Sequence, residues 1–286
     1  MTSSVNRVLL IGQGAWSRKI NGVIKAQNAN WKVEIISART FISMGSNLIE
    51  FTEICGKFDL FWITTTPNNQ IQILGLLVTT QTKIILDKPI VTNVSEIDLL
   101  EDLLRNSQCK IYLSQPWTFS TLWKEAKKIL LTMQGDLVIQ IERGGNLLRP
   151  WLPPEIDWAP HDLYLLYDYA HDLGEESPKI SLISRILEKN RIQLKYTLGR
   201  NRIFDIKSGY FNPRKAMWSV YSKGKEVLRL NFQTSELVDY RGTHKVVSEF
   251  SRDNPIVTML NHINENNVDI DWVLILELYQ DLVKRK

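Results

Sequence analysis

The sequence is short of the features that define several large protein classes. Its 286 residues include two cysteines, Cys55 and Cys109, with no ligand or redox spacing between them. That excludes a disulfide scaffold and a cysteine-rich metal fold, and the pair reads as packing thiols of a reducing compartment. Long hydrophobic runs are missing too, since the longest apolar stretch, near Ile73 to Val78, falls far below a bilayer span. "MTSSVNRVLLIG" carries one positive charge ahead of a very short apolar run with no cleavage site behind it, which is not the pattern of a secretory leader. These absences predict a soluble, cytoplasmic protein without a membrane partner. No repeat or low-complexity segment is visible.

Charge of one sign is also scarce. The 35 Lys and Arg exceed the 31 Asp and Glu only enough to leave a net charge of +4. The basic residues are scattered, and only Lys284-Arg285-Lys286 forms a run. Without a basic stripe interleaved with aromatics, no nucleic-acid partner is expected. The apolar and charged fractions, 44% and 23%, are those of a folded globular chain, and the length fits two domains.

What is present is ordered. "RVLLIG" (7–12) is a short apolar run, followed by a glycine turn and by helical spacing from Ala15 to Ala26. "WKVEIISAR" (31–39), "FDLFWITTT" (58–66), "TKIILDKPI" (82–90) and "KIYLSQPW" (110–117) read as further strands. "SNLIEFTEI", "QIQILGLLVTT" and "SEIDLLEDLLRN" read as the helices between them, the last with Ser95 as its expected N-cap and Asp98 three residues on. Near-continuous apolar strands alternating with helices predict a parallel sheet covered on both faces.

After about residue 120 the pattern changes. A helix, "TLWKEAKKILLTM", precedes the strand-like runs "DLVIQIER", "RIQLKYTL", "KAMWSVYS", "KEVLRLNF" and "THKVVSEF". Short turns such as Ser222 to Lys225 separate them and predict antiparallel pairing. Helical segments in "NPIVTMLNHINENN" and "DIDWVLILELYQDLVKRK" close the chain. The expected class is α/β plus α+β: a Rossmann dinucleotide-binding domain over residues 1–120, then a substrate and oligomerisation domain over 121–286 on a mainly antiparallel open sheet.

"LIGQGAWS" places Gly12 and Gly14 where the first strand turns into the first helix. A dinucleotide turn needs the first glycine for the bend and the second so that backbone N–H groups can approach a pyrophosphate at a helix N-terminus. The third glycine of that fingerprint is Ser17 here. The alternative is a glycine turn with no ligand. The second strand ends "ISART", with Ser37, Arg39 and Thr40 where an acid would bind the ribose 2′-hydroxyl of NAD. A guanidinium fork and two hydroxyls suit a 2′-phosphate, so NADP is expected over NAD unless Arg39 is an ordinary surface arginine.

"DWAPHD" (157–162) sets Asp157 and His161 four residues apart, on one side of a helix. A histidine titrates near working pH and suits proton transfer. The competing reading makes Asp157 a helix N-cap, with Pro160 in the first turn. His161 and His171 lack metal-ligand spacing, so no metal is expected, and Asp168 and Asp172 read as a solvated edge. The sequence alone identifies no role for His244 or His262. Trp117, Trp123, Trp151 and Trp158 gather near the predicted domain junction, as core or interface residues or as an aromatic pocket.

With "ITTTPNN" after the third strand, "LDKPI" after the fourth and "DWAPHD" beyond, the chain resembles, over nearly its whole length, the glucose-fructose oxidoreductase and inositol dehydrogenase family, Gfo/Idh/MocA. The resemblance implies that Gly12, Gly14, Ala15 and Trp16 hold the cofactor pyrophosphate and that Pro67 and Asn68 line the cofactor. It places Lys88 between nicotinamide and substrate, and Asp157 and His161 beside the reacting carbon. It also implies a homo-oligomer, dimer or tetramer. Asp87 stands for the usual Glu, Ile71 for a His, and Trp158 and Pro160 for glycines around the Asp-x-x-x-His motif. The expected activity is NADP-dependent hydride transfer to or from a carbonyl or secondary alcohol of a sugar, cyclitol or related small molecule. The alternatives are reduction of a larger conjugated or imine substrate, a nucleotide-binding regulator without turnover, and an interaction protein with an empty turn.

Overall fold

A computed structural model describes residues 6–27, 30–146, 152–173, 179–250, 254–265 and 272–284. The chain divides into two compact units. One comprises residues 1–116, 256–276 and 283–286, and the other residues 117–255 and 277–282.

The first unit runs β1 (Asn6–Ile11), α1 (Ala15–Gln27), β2 (Trp31–Ile36), α2 (Ala38–Met44), α3 (Leu48–Lys57), β3 (Leu60–Ile63), α4 (Pro67–Leu77), β4 (Lys83–Leu86), α5 (Val94–Arg105) and β5 (Lys110–Leu113). All five strands pair in parallel, in the order β2-β1-β3-β4-β5. The central β3 is buried at every position, as a strand covered on both faces must be. From β1 the sheet grows one way to β2 and the other way to β3, and that reversal opens a crevice at the carboxyl ends of the strands.

One cap differs from expectation. Asn93, not Ser95, caps α5: its side chain accepts the Glu96 N–H at 3.0 Å, while the Glu96 carboxylate takes the N–H and hydroxyl of Thr92. A glutamate at the third helical position pairs with a cap three residues before it, and that position is Asn93.

The second unit contains α6 (Thr121–Thr132), β6 (Leu137–Gly145), α7 (Pro154–Asp172), β7 (Ile180–Glu188), β8 (Arg191–Leu198), β9 (Arg202–Tyr210), β10 (Lys215–Ser222), β11 (Lys225–Asn231), β12 (Glu236–Asp239) and β13 (Val246–Glu249). The helices α8 (Pro255–Glu265) and α9 (Trp272–Val283) follow. The eight strands lie in the order β13-β12-β11-β10-β6-β9-β8-β7. All neighbours are antiparallel except β6 and β9, which run parallel because α7 and a hairpin intervene between them. Along β8, buried Ile192, Leu194, Tyr196 and Leu198 alternate with half-exposed residues, so one face is packed and the other is not. The packed face carries α7, which lies against β6, β8 and β9. No helix among the described residues is long and apolar enough to cross a membrane.

Candidate active site

The turn after β1 has the shape its glycines predict. Gly12 sits at φ +141°, and a Cβ there would lie 2.4 Å from the Thr64 carbonyl oxygen at the end of β3. Only glycine can occupy that position. Ser17, in place of the third glycine, is fully buried and shares a 2.7 Å hydrogen bond with the Thr64 hydroxyl, so a polar contact replaces bare backbone packing between α1 and β3. A Cβ on Gly14 meets nothing within 4 Å. The space in front of Gly14, at the N-terminus of a 13-residue helix with no acid in its first turn, fits a dinucleotide pyrophosphate. Ala15 faces out beside it. Trp16 is half-buried, with the Lys19 ammonium 5.2 Å from its ring centre.

At the end of β2, Ser37 caps α2. Its hydroxyl accepts the Thr40 N–H at 3.0 Å and lies 2.6 Å from the Thr40 hydroxyl. Arg39 is exposed beside them. No acid stands at this strand end, so the residues present offer donors and a positive charge.

The exits of β3 and β4 are tied together. Pro67 opens α4 and is buried, while Asn68 next to it is exposed. Gln70, one turn into the helix, is 2% exposed, and its amide reaches the backbone on both sides of Lys88. Lys88 is half-buried, and the bond to Pro89 is cis. Asp87 is buried, which pushes its carboxyl up from 3.8 to about 6, against the opposing pull of the Lys88 charge. The Ser114 hydroxyl, the Lys88 N–H and the Trp16 indole face that carboxylate and also favour its charged form.

In the second unit, α7 begins at Pro154 with Pro153 as cap. Asp157 is therefore not the N-cap: its N–H bonds to the Pro153 carbonyl at 3.1 Å inside the helix, and Pro160 is interior. Two prolines start this helix ahead of the acid, which moves the cap back from Asp157 to Pro153. Asp157 is buried and His161 half-buried, one turn apart on the same side. The Trp158 and His161 rings lie 6.4 Å apart, and Trp158 also packs on Gly145 and under Arg214.

Directly after His161, Asp162 is fully buried with both oxygens held. Arg143 Nε donates to one at 2.8 Å and Trp218 Nε1 to the other at 2.8 Å. The Arg143 guanidinium also lies against Trp117 and Phe232. This network was not foreseen, although an Arg at the inward phase of an apolar strand was a signal for it. Of the four clustered tryptophans, Trp123 is core, 5.0 Å from Trp218, and Trp151 lies outside the described residues. Asp168 and Asp172 are not a solvated edge, because Lys127 bridges them and Trp123 Nε1 donates to Asp168. Among the described residues no group of three His, Cys, Asp or Glu could hold a metal ion.

Solved structures of dehydrogenases and oxidoreductases share this fold, a five-stranded parallel sheet with helices and a second, mainly antiparallel sheet. UDP-N-acetylglucosamine 3-dehydrogenase GnnA from Acidithiobacillus ferrooxidans superposes with a TM-score of 0.70 at 14% identity, over 97% of this chain and 96% of that one. A dehydrogenase, MviM, from Clostridium difficile gives 0.70 at 16% identity over 97% of both chains. An aldose-aldose oxidoreductase from Caulobacter crescentus, complexed with glycerol, gives 0.73 at 12% identity over 96% and 94%. At this identity the likeness is one of fold. No family model and no curated protein sequence matches the chain.

Proposed function

We propose that this protein is an NADP-dependent oxidoreductase acting on a carbonyl or secondary alcohol of a small molecule. The observation that carries the reading is the β1–α1 turn: a glycine that must be glycine at position 12, open space at Gly14, and a helix N-terminus behind them. The solved structures of the same fold named for dehydrogenation of UDP-N-acetylglucosamine and for aldose oxidoreduction support sugars as the substrate class. Arg39, with the hydroxyls of Ser37 and Thr40, supports NADP, since the strand end carries donors and no acid.

When bound, the nicotinamide supplies or accepts the hydride. The chain's own residues handle the proton and the charge. His161 exchanges the proton of the substrate hydroxyl, because an imidazole changes charge near neutral pH. Asp157, one turn earlier on α7, orients the ring or binds a neighbouring hydroxyl. Lys88 offsets negative charge on the substrate oxygen. Pro67 and Asn68 border the cofactor, and Trp16, Gly12, Gly14 and Ala15 enclose the pyrophosphate. The unpacked face of the eight-stranded sheet is the proposed subunit interface, and light scattering of the purified protein should give a dimer or tetramer mass.

The test is nicotinamide absorbance with NADP and a panel of D-glucose, D-xylose, myo-inositol and UDP-N-acetylglucosamine, for wild type and His161→Ala. The expected result is turnover with at least one member, lost in the variant. NADPH binding with no turnover across the panel, or turnover untouched by His161→Ala, contradicts it. The first outcome favours a nucleotide-binding regulator, and the second a hydride transfer whose proton is exchanged directly with solvent.

A further inference from the structure

The β4 exit carries more side-chain hydrogen bonding than its length requires. A strand end needs partners only for the backbone groups its ladder leaves open. The Asp87 N–H already has one, the Ile63 carbonyl of β3 at 3.1 Å. Gln70 nevertheless adds a second acceptor to it, with Oε1 at 3.0 Å. The Gln70 Nε2 then donates to the Asp87 carbonyl at 2.9 Å and to the Pro89 carbonyl at 3.2 Å, the residues immediately before and after Lys88. It also reaches the Thr65 carbonyl at 3.2 Å, in the turn after β3. One buried amide therefore makes three of its four backbone hydrogen bonds to the residues flanking a single lysine.

We propose that Gln70 is the positioning residue for Lys88: it pins the backbone on both sides of the lysine to the first turn of α4. The proposal rests on the reading of Lys88 as a cofactor-adjacent residue. The amide also couples two loops. The turn that Gln70 holds through Thr65 leads into Pro67 and Asn68, and the segment it holds at Asp87 places a carboxylate against Trp16 and Ser114. A shift at the exit of β3 or of β4 is thus felt at the lysine, through the hydrogen bonds of one amide.

The test reads Lys88 itself and needs no substrate. The purified full chain is trace-labelled with acetic anhydride over a pH series, with and without NADPH, and each lysine is quantified by peptide mass spectrometry. In wild type, Lys88 should label slowly and be protected by NADPH. Gln70→Met keeps the volume and removes every side-chain hydrogen bond. It should raise Lys88 labelling by about threefold to tenfold, the population change that one lost hydrogen bond is worth. Exposed Lys32 and Lys128 should be unchanged, which a general loosening of the fold would not allow. Gln70→Glu guards against failure of the first variant to fold. Its carboxylate still accepts the Asp87 N–H but repels the Asp87 and Pro89 carbonyls, so Lys88 labelling should rise there too. Unchanged Lys88 labelling in a folded variant, with NADPH protection intact in wild type, overturns the positioning role alone. Absence of NADPH protection in wild type overturns the reading of Lys88 beneath it.

Discussion

Asp87 is a carboxyl group kept out of water beside a lysine, and that conflict has a measurable sign. Burial raises its pKa from 3.8 to about 6, so between those values the unfolded chain releases a proton that the folded chain keeps. The stability linked to this group is fully present below about pH 4 and is lost as pH rises through about 6, by about 2–3 kcal/mol. Asp87→Asn cannot ionise. Its stability relative to wild type should therefore climb by about that amount between about pH 4 and pH 7 in urea unfolding. A difference flat across that window would show that the carboxyl is not held out of water. Asp162 is the opposite case, a buried charge with both oxygens satisfied. Asp162→Leu should cost about 3–5 kcal/mol, because it strands the Arg143 guanidinium in a dry site. A loss below about 1 kcal/mol in the same measurement would be the cost of an exposed pair, and would contradict the burial.

At the scale of elements, the two glycines of the β1–α1 turn separate folding from binding. Gly12→Ala forces a side chain against the Thr64 carbonyl at a positive φ and should destabilise the protein by about 3 kcal/mol. Gly14→Ala projects into open space. Its unfolding should stay within about 0.5 kcal/mol of wild type, while its NADPH affinity drops about tenfold from the occupied space. Equal stability loss in both variants would mean that the turn is packed and not a cradle. The five strands of the first unit were legible in the sequence because buried parallel strands such as "FDLFWI" are nearly unbroken apolar runs, whereas α2 was not, and the second strand was read on through Ala38 and Arg39, which belong to that helix. In the second unit β7, β9 and β12 escaped notice. "ISLISRILE" and "RIFDIKSGY" mix serine and charge into both phases, since these strands lie at the sheet edge or against an unpacked face. The parallel β6–β9 pair was illegible for another reason: Gly144 and Gly209 let those backbones approach so closely that a Cβ on Gly144 would fall 1.9 Å from the Gly209 carbonyl. Nothing local in "ERGG" announces a partner 65 positions away.

For the whole molecule, motif order was more informative than motif spelling. The glycine turn, Thr-Pro-Asn, Asp-Lys-Pro and Asp-x-x-x-His lie on the elements expected of them, although the third glycine is a serine and the family's Glu is an aspartate. What the motifs did not reveal is the supporting layer. Gln70, Ser114, Arg143 and Trp218 are ordinary residues in sequence and gain meaning only when distant segments meet, as Arg143 and Trp218 do on Asp162. NADP is the proposed ligand of the first unit. Fluorescence titration of the purified protein with NADPH and NADH, beside Arg39→Ala, tests that proposal most directly. Saturable NADPH binding, weakened about tenfold or more in the variant while NADH binding is unchanged, is the predicted result. Binding of neither nucleotide would overturn the reading of the turn and of the strand end together.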